Sequence, residues 1–471
     1  MKFDIFVPMA QIDEIKVALA PESEYLGRVT GLETMPCSTA SLRAMASQAE
    51  SEGMMVYTAS TSLLPGYNML KRMSAVMEQS RAPMAYSDYV AVAPDGTATP
   101  TPLIDCVTGS VRDDFNFGPL QCYSTAQFKK ALAEANDSLE YAALYDVRLR
   151  LSATRQPLHV RESLYKAVDN DTRLSGQKQF DYVDPRNRDR QVEMERAATA
   201  HLRRIGAWLA PQFETPVDDG DYDVEASVII PVRNRRATIA DAVESALGQE
   251  CDFEFNVIVV DNHSTDGTGE VLAGIAARDG RLKVITPGRD DLGIGGCWDV
   301  AVNSPFCGRY AVQLDSDDLY SSPATLARIV DKFRSEPVAM VIGSYSLTDF
   351  NLNPLPPGII DHCEWTPDNG RNNALRINGL GAPRAFMTSV LRRLGVPNVS
   401  YGEDYALGLA LSLRYQIGRI YDSLYLCRRW EGNSDASLPV ARQNFNNEYK
   451  DMLRTLAIEE RIAYNNARRN G

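Results

Sequence analysis

The second half of the chain alternates short apolar runs with a segment of helical periodicity. The runs ASVIIPV (226–232), NVIVVD (256–261) and YAVQLD (310–315) are rich in β-branched residues, and residues 239–247 carry apolar side chains at helical spacing. Strands buried on both faces of a parallel sheet have this continuous apolar character, and strand–helix alternation is typical of α/β folds. We therefore predict an α/β domain whose ligands bind beyond the carboxyl ends of its strands.

The first half repeats this scheme in weaker form, which predicts a duplicated domain; chance similarity is the alternative. The matching pairs are FDIFVP (3–8) with SVIIP (227–231), VYTASTSLLPGYNML (56–70) with VQLDSDDLYSSPATL (312–326), AYSDYV (85–90) with GSYSLTDF (343–350), and RESLYKAVDND (161–171) with YDSLYLCRRWEGNSD (421–435). Their separation is too long for a solenoid repeat. Thr58, Ala59, Ser60 and Thr61 stand where the second half has three aspartates, so we expect the first domain to be non-catalytic.

Two polar stretches divide the chain. They cover 175–190 and 211–223, and between them apolar residues recur at helical spacing over 191–209. This pattern predicts a helical connector. The expected layout is a degenerate domain over 1–175, the connector over 176–222, a catalytic domain over 223–445 and a C-terminal helix over 446–471.

Composition and charge exclude several classes of protein. The 471 residues include 49 basic and 62 acidic groups, a net charge of −13, which argues against a nucleic-acid partner. Eight cysteines without a CxxC pair indicate reduced thiols, and four histidines without HExxH argue against a zinc hydrolase. The opening residues lack the apolar region of a signal peptide, and no apolar run is long enough to span a membrane. The expected location is cytoplasmic, with peripheral membrane contact left open.

The motif LDSDD (314–318) places three carboxylates at the end of the third apolar run. Carboxylates this close repel one another unless a cation offsets them. Their hard oxygens suit Mg²⁺ or Mn²⁺, with a diphosphate filling the remaining coordination positions. A helix N-cap with a solvated turn is the alternative. Asp261 ends the preceding run in the same way, so both motifs are predicted to face one edge of the sheet.

Two further motifs carry candidate chemistry. Glu403 and Asp404 open an apolar helical segment, where the helix N-terminus favours an ionised carboxylate. An ionised carboxylate is what a general base needs to take a proton from a sugar hydroxyl; simple capping of the helix is the alternative. Arg428 and Arg429 could neutralise a diphosphate, and Trp430 could stack on a sugar ring. The alternative is a surface arginine pair beside a buried tryptophan.

In their order and separation these motifs resemble an inverting family 2 glycosyltransferase of the GT-A fold, over about residues 224–440. The resemblance implies two GT-A-like domains, each a Rossmann-like mixed sheet, with Glu140-Tyr141 standing where the first would carry the Glu-Asp pair. Asp404 would be the base beside Glu403, and Asp317 with Asp318 would bind the metal. The implied nucleotide-sugar-binding residues are Pro231, Val232, Arg233, Asp261, Asn262, Asp315, Ser316, Arg429 and Trp430. The segment INGLGAPRAF (377–386) would face the acceptor.

The chain departs from this family at two positions. Asn262 stands where many members have an aspartate that contacts uracil, so a UDP-sugar is favoured rather than fixed as the donor. Trp430 stands near where many members have a metal-binding histidine, so Mn²⁺ or Mg²⁺ would rely on Asp317, the diphosphate and water.

The predicted function is metal-dependent, inverting transfer of a sugar from a nucleotide-sugar to a glycan, a lipid-linked glycan or another hydroxyl acceptor. A sugar-1-phosphate nucleotidyltransferase would carry a Gly-rich GGxGxR segment after its first strand, where this chain has Arg233-Asn234-Arg235-Arg236. A non-catalytic module that binds a nucleotide-sugar or a glycan is the remaining alternative.

Overall fold

The computed structural model describes residues 1–135, 139–168, 187–363, 365–430 and 438–470. These residues fold into two compact units. Unit 1 comprises the described residues up to 168 together with 187–208 and 438–470, and unit 2 comprises 209–363 and 365–430. Residues 169–186, where the predicted first domain ends and the predicted connector begins, lie outside the described residues.

Unit 1 contains two sheets. Its strands are β1 (Phe3–Pro8), β2 (Leu26–Leu32), β3 (Gly53–Tyr57), β4 (Leu63–Pro65), β5 (Met84–Ser87), β6 (Tyr89–Val92), β7 (Ala98–Thr101), β8 (Leu120–Ser124), β9 (Leu158–Val160) and β10 (Tyr165–Val168). Its helices are α1 (Ile12–Leu19), α2 (Thr39–Ser47), α3 (Met69–Ser80), α4 (Thr125–Ala133), α5 (Ala143–Ser152), α6 (Arg188–Arg204) and α14 (Val440–Asn470). The strand orders are β2-β1-β3-β8-β5-β9 and β4-β10-β6-β7.

A carboxylate from α6 holds the segment that leads into α5. Glu193 is 8% exposed and accepts the backbone N–H groups of Glu140 at 2.9 Å, Tyr141 at 2.7 Å and Ala142 at 3.1 Å. The helix dipole favours negative charge close to a helix N-terminus. Glu193 therefore satisfies three backbone donors immediately before α5 and places its charge near the start of that helix.

Helix α14 is built into the core of unit 1. Asp451 of α14 is almost fully buried and accepts from Arg112 Nε at 3.1 Å and from Arg454 Nη1 at 2.8 Å. Gly109 donates its N–H to Thr455 Oγ1 at 2.8 Å. A Cβ at Gly109 would lie 2.0 Å from the carbonyl oxygen of Asp451, so only glycine allows this close approach.

Unit 2 contains one nine-stranded mixed sheet with helices around it. Its strands are β11 (Ala226–Val232), β12 (Phe255–Asp261), β13 (Leu282–Ile285), β14 (Tyr310–Gln313), β15 (Leu319–Tyr320), β16 (Val338–Thr348), β17 (Pro354–Ile360), β18 (Arg384–Met387) and β19 (Gln416–Arg428). Its helices are α7 (Ile239–Leu247), α8 (Thr268–Ala276), α9 (Ile294–Val302), α10 (Thr325–Ser335), α11 (Gly370–Asn373), α12 (Thr388–Leu394) and α13 (Glu403–Ser412). The order is β13-β12-β11-β14-β18-β16-β19-β15, with β17 on β16.

The three apolar runs predicted as strands lie side by side at the centre of this sheet. β11 pairs in parallel with β12 on one side and β14 on the other, and β14 pairs antiparallel with β18. Val228, Ile229 and Ile230 of β11 are fully buried, as expected for a strand covered on both faces. The α/β prediction is confirmed.

The sheets of the two units share their strand order. In unit 2 the series β12-β11-β14-β18-β16-β19 has the pairing senses parallel, parallel, antiparallel, antiparallel and parallel. In unit 1 the series β2-β1-β3-β8-β5-β9 has the same five senses in the same order. The series β15-β19-β16-β17 and β4-β10-β6-β7 also agree, each antiparallel, parallel and antiparallel.

Among the helices of the described residues, none combines the length and the apolar character that crossing a bilayer requires.

Candidate active site

Two neighbouring parallel strands bring the first predicted site residues to one edge of the sheet. Val232 at the end of β11 is paired with Asp261 at the end of β12. The N–H of Asn262 donates to the carbonyl of Val232 at 2.8 Å, which holds the two strand ends together. Pro231 is half-buried and Arg233 is exposed. The carboxylate of Asp261 accepts the N–H of Ser264 at 3.0 Å and so shapes the turn that follows.

Asn262 presents a hydrogen-bond acceptor next to Asp261, at the end of β12. Its Nδ2 donates to the carbonyl of Leu292 at 2.9 Å, which fixes the orientation of the amide. Its Oδ1 is buried and has no hydrogen-bond partner among the described residues. A buried carbonyl oxygen without a partner is costly, so this atom has the capacity to accept a bond from a ligand.

Asp315 and Ser316 follow β14 at the same edge. The N–H of Asp315 donates to Tyr425 Oη at 3.0 Å, and its carboxylate accepts from Gln313 Nε2 at 2.9 Å. The carbonyl of Ser316 accepts from Thr238 Oγ1 at 2.9 Å. Burial raises the pKa of Asp315, while the neighbouring Arg384 opposes that rise.

Asp317 and Asp318 are placed in different surroundings. Asp317 is half-buried, and its Oδ2 accepts from Trp430 Nε1 at 3.0 Å. Asp318 is only 4% exposed, and its Oδ1 accepts the N–H of Arg428 at 2.8 Å. Burial, together with the charges of Asp315 and Asp317, raises the pKa of Asp318 well above its ordinary value. The structure therefore orients Asp318 toward β19.

The two arginines at the end of β19 also differ in burial and in their partners. Arg428 is buried, donates from Nε to the carbonyl of Asp317 at 2.5 Å, and pairs with Asp241 at 2.9 Å. Arg429 is half-buried and its N–H donates to the carbonyl of Thr348 at 2.8 Å. The rest of the tail motif, residues 431–435, lies outside the described part of the chain.

Trp430 contacts both the aspartate motif and an arginine. Besides its bond to Asp317, its ring lies 5.7 Å from the guanidinium carbon of Arg235 and 5.5 Å from the ring of Phe350. Its indole N–H is thus occupied while one ring face meets a cation.

Glu403 and Asp404 stand at the start of α13, as predicted. Gly402 before them has a φ of 84°, a left-handed conformation that glycine adopts without strain. Glu403 is half-buried, and its Oε2 is buried and has no hydrogen-bond partner among the described residues. Burial, and then the charge of Asp404, raise the pKa of Glu403 to about 7. Asp404 accepts the N–H of Tyr405 at 2.7 Å and pairs with Arg384 Nη1, also at 2.7 Å.

Arg384 and Gln313 join the two carboxylate motifs. Arg384 begins β18, which lies beside β14, and its N–H donates to Gln313 Oε1 at 3.2 Å. Gln313 in turn donates to Asp315. Neither residue was predicted from the sequence as part of the site, although each is a long polar side chain in an apolar strand. Such a polar position in a buried strand is the signal by which they could have been found.

The carboxylates of the LDSDD motif are the candidate ligands for a divalent cation. Within the described residues, no group of three or more His, Cys, Asp and Glu side chains is arranged to hold a metal ion. Mg²⁺ commonly takes only one or two carboxylates, with substrate phosphates and water completing its coordination. The half-buried Asp317 fits such a site, whereas Asp318 is buried and engaged by Arg428.

Comparison with known families identifies the class of this domain. Residues 227–394 match the family described as "Glycosyl transferase family 2". Unit 2 therefore carries a domain that matches glycosyl transferase family 2, and this part of the prediction for the second half of the chain is confirmed.

Several named proteins are similar to parts of the chain. The "Putative teichuronic acid biosynthesis glycosyltransferase TuaG" of Bacillus subtilis (strain 168) is 28% identical over 186 residues, which cover 39% of this chain and 71% of that protein. An "Uncharacterized glycosyltransferase" of Rickettsia felis is 33% identical over 99 residues, or 21% of this chain. YfnE of B. subtilis, also an uncharacterized glycosyltransferase, is 46% identical over 54 residues, or 12% of this chain. The last two matches span only 16% and 14% of those relatives' lengths.

Solved glycosyltransferase structures are also similar. S. aureus TarS in complex with UDP-GlcNAc is 21% identical with a TM-score of 0.39, over 50% of this chain and 72% of that one. The mannosyltransferase PcManGT from Pyrobaculum calidifontis, in complex with GDP-Man and Mn²⁺, is 18% identical with a TM-score of 0.36, over 59% and 85%. These TM-scores are low, and the α/β architecture of unit 2 is defined by its own strand order.

Proposed function

We propose that unit 2 transfers a sugar from a nucleotide-sugar, with UDP-sugars favoured, to a hydroxyl group of a glycan or lipid-linked glycan, with inversion at the anomeric carbon. One observation carries the proposal: Asp315, Gln313, Arg384 and Asp404 form a continuous set of contacts at one edge of the sheet. This set connects the predicted donor side to the predicted base. The name of the relative TuaG, in teichuronic acid biosynthesis, supports a glycan acceptor.

In the proposed reaction Asp404 takes the proton of the acceptor hydroxyl. The acceptor oxygen then forms a bond to the anomeric carbon as the bond from that carbon to the diphosphate oxygen breaks. Attack in line with the leaving group inverts the configuration. Arg384 and the N–H of Tyr405 both favour the ionised form of Asp404 that this step needs.

The donor would bind along the strand ends. Pro231, Val232, Arg233, Asp261 and Asn262 would surround the nucleobase, where the buried Oδ1 of Asn262 would accept the imide N–H of a uracil ring. Asp315 and Ser316 would hold the ribose, with Arg429 and Trp430 beside the diphosphate and the sugar.

We propose that a divalent cation, Mn²⁺ or Mg²⁺, is bound through Asp317 together with the diphosphate and water. When bound, such an ion offsets the charge that develops on the leaving diphosphate. The buried Asp318 would support Asp317 by anchoring the backbone of Arg428, whose Nε holds the carbonyl of Asp317.

For unit 1 we propose a duplicated and non-catalytic copy of unit 2. Its shared strand order supports duplication. Helix α5 precedes β9 as α13 precedes β19, but α5 begins with Ala143, and Glu193 of α6 binds the backbone N–H groups just before it. The series Thr58 to Thr61 follows β3 without a carboxylate. We propose that this unit serves binding rather than catalysis.

The second candidate for unit 2 is a module that binds a nucleotide-sugar without transferring it. The engagement of Asp317 by Trp430 favours this alternative, because the bond occupies one of the two oxygens that would face a metal.

The test is thermal stability with Mn²⁺ and a panel of UDP-, GDP-, dTDP- and CMP-sugars, on wild type and Asp317→Ala. A ligand at 100 times its Kd stabilises the folded state by about 2.7 kcal/mol, which is visible as a higher melting temperature. We expect a metal-dependent shift with a UDP-sugar that Asp317→Ala loses and the exposed control Asp331→Ala keeps. Donor binding without release of nucleotide in the presence of acceptors would favour the binding module; no shift with any donor would contradict both candidates.

A further inference from the structure

One guanidinium faces three carboxyl groups at the candidate active site. The side chain of Arg384 is 18% exposed, and its Nη1 contacts Asp404 Oδ2 at 2.7 Å. The same Nη1 donates to the carbonyl of Gly381 at 2.8 Å, which fixes the guanidinium in place. Although burial alone disfavours its charge, the carboxylates of Asp404, Asp315 and Glu403 raise the pKa of Arg384, so it remains a cation.

The surroundings of the adjacent Glu403 and Asp404 decide which of the two keeps a proton. Carboxylates that share one site cannot all ionise easily, because each charge disfavours the next. Asp404 receives two donors, Arg384 and the N–H of Tyr405. Glu403 has a buried Oε2 without a partner among the described residues. The proton that this pair retains therefore belongs on Glu403.

We propose that Arg384 is a positioning residue that keeps Asp404 ionised and leaves the proton of this pair on Glu403. This inference rests on the proposed function, because it assigns Arg384 a part in preparing the base. Without Arg384, the adjacent Glu403 and Asp404 would compete for one proton, and both would face the charge of Asp315. Both contacts come from the two N–H groups of one nitrogen, Nη1, so the bond to Gly381 aims the charged group at Asp404.

The experiment is the pH dependence of kcat/KM for sugar transfer in wild type, Arg384→Gln and Arg384→Lys. An arginine next to an aspartate typically shifts the pKa of the carboxyl by about one to three units. In Arg384→Gln we expect the acid limb of the profile to move to higher pH by about one unit or more, with little change in the Kd of the donor. Arg384→Lys should recover most of the wild-type profile, since it restores the charge.

A matched control is Arg393→Gln in the same unit. Arg393 also pairs with an aspartate, Asp219, at 2.8 Å, but both side chains are exposed. This variant should leave the acid limb unchanged. A wild-type acid limb in Arg384→Gln, beside a large loss of turnover in Asp404→Asn, would overturn the role of Arg384 and leave the proposed function standing.

A second readout does not depend on turnover. In wild type, Asp404→Asn should lower the urea midpoint of unit 2, because it leaves Arg384 without its carboxylate. In Arg384→Gln, the same change should raise the midpoint at pH 8 and leave it unaltered at pH 5, since Asp404 would then carry a proton at the lower pH. An equal effect of Asp404→Asn in both backgrounds would overturn the inference. If Arg384→Gln does not fold, Arg384→Met, which also removes the charge, takes its place in the same comparison with the same expected outcomes. If wild type transfers no sugar, the proposed function fails while these midpoints still decide the role of Arg384.

Discussion

The buried carboxyl of Glu403 should make the stability of unit 2 depend on pH. Its pKa rises from an ordinary value of 4.5 to about 7 in the folded chain. Between these two values the unfolded chain has lost the proton and the folded chain keeps it. Stability therefore falls as the pH rises from about 4.5 to about 7 and then levels off, because folding at high pH must bury the charged form.

The glutamine variant isolates this effect. Glu403→Gln has the shape of the protonated glutamate and no charge at any pH. A pKa difference of one between the folded and unfolded states corresponds to about 1.4 kcal/mol, so the raised pKa of Glu403 corresponds to up to about 3 kcal/mol. We expect the variant and the wild type to be about equally stable near pH 4.5, and the variant to be more stable by up to about 3 kcal/mol at pH 8.

Tryptophan fluorescence during urea unfolding can report on unit 2 alone. Of the four tryptophans, Trp208 lies in unit 1 and the other three lie in unit 2. Both proteins would therefore carry Trp208→Phe. Glu270→Gln, at an exposed position of α8, supplies the baseline for a change of glutamate to glutamine. A stability difference between Glu403→Gln and wild type that stays constant from pH 4.5 to pH 8 would refute the reasoning, since it would mean that folding does not hold a proton on Glu403.

Two further substitutions test other parts of the molecule. Asp404→Asn should reduce turnover by about 10²–10⁴-fold, the usual contribution of a general base, while the affinity for the donor is retained. Initial rates measure the turnover, and calorimetric titration measures the donor affinity. Turnover at the wild-type level would reject Asp404 as the base. Glu193→Ala removes the acceptor of three N–H groups just before α5 and should destabilise unit 1 by about 1–3 kcal/mol, measured as the urea transition of unit 1 by circular dichroism, with the transition of unit 2 as the internal reference.

Much of unit 2 could be predicted from the sequence because its central strands are continuous apolar runs. The positions of Asp261 and Asp315 followed from the same reasoning, since the carboxyl ends of adjacent parallel strands meet at one edge. Glu403 and Asp404 were found because two carboxylates before an apolar segment predict a helix start.

The contacts of these residues could not be predicted in the same way. Arg384 meets Asp404 only because β18 pairs antiparallel with β14, a pairing between segments about 70 residues apart that no local pattern specifies. The opposite surroundings of Asp317 and Asp318 depend on how β19 returns to the motif with Arg428 and Trp430. Neighbouring residues of one motif thus differ through long-range pairing.

The burial of Asp451 against Arg112 affects the order in which the two units can fold during synthesis. Arg112 precedes all of unit 2 in the chain and Asp451 follows it, so unit 2 is an insertion within unit 1. A ribosome completes every strand of unit 2 before α14 appears, and until then Arg112 lacks its carboxylate partner. Unit 2 can therefore fold during translation while unit 1 waits for its last helix. A nascent chain stopped before α14 should contain the candidate active site in native form beside an incomplete unit 1.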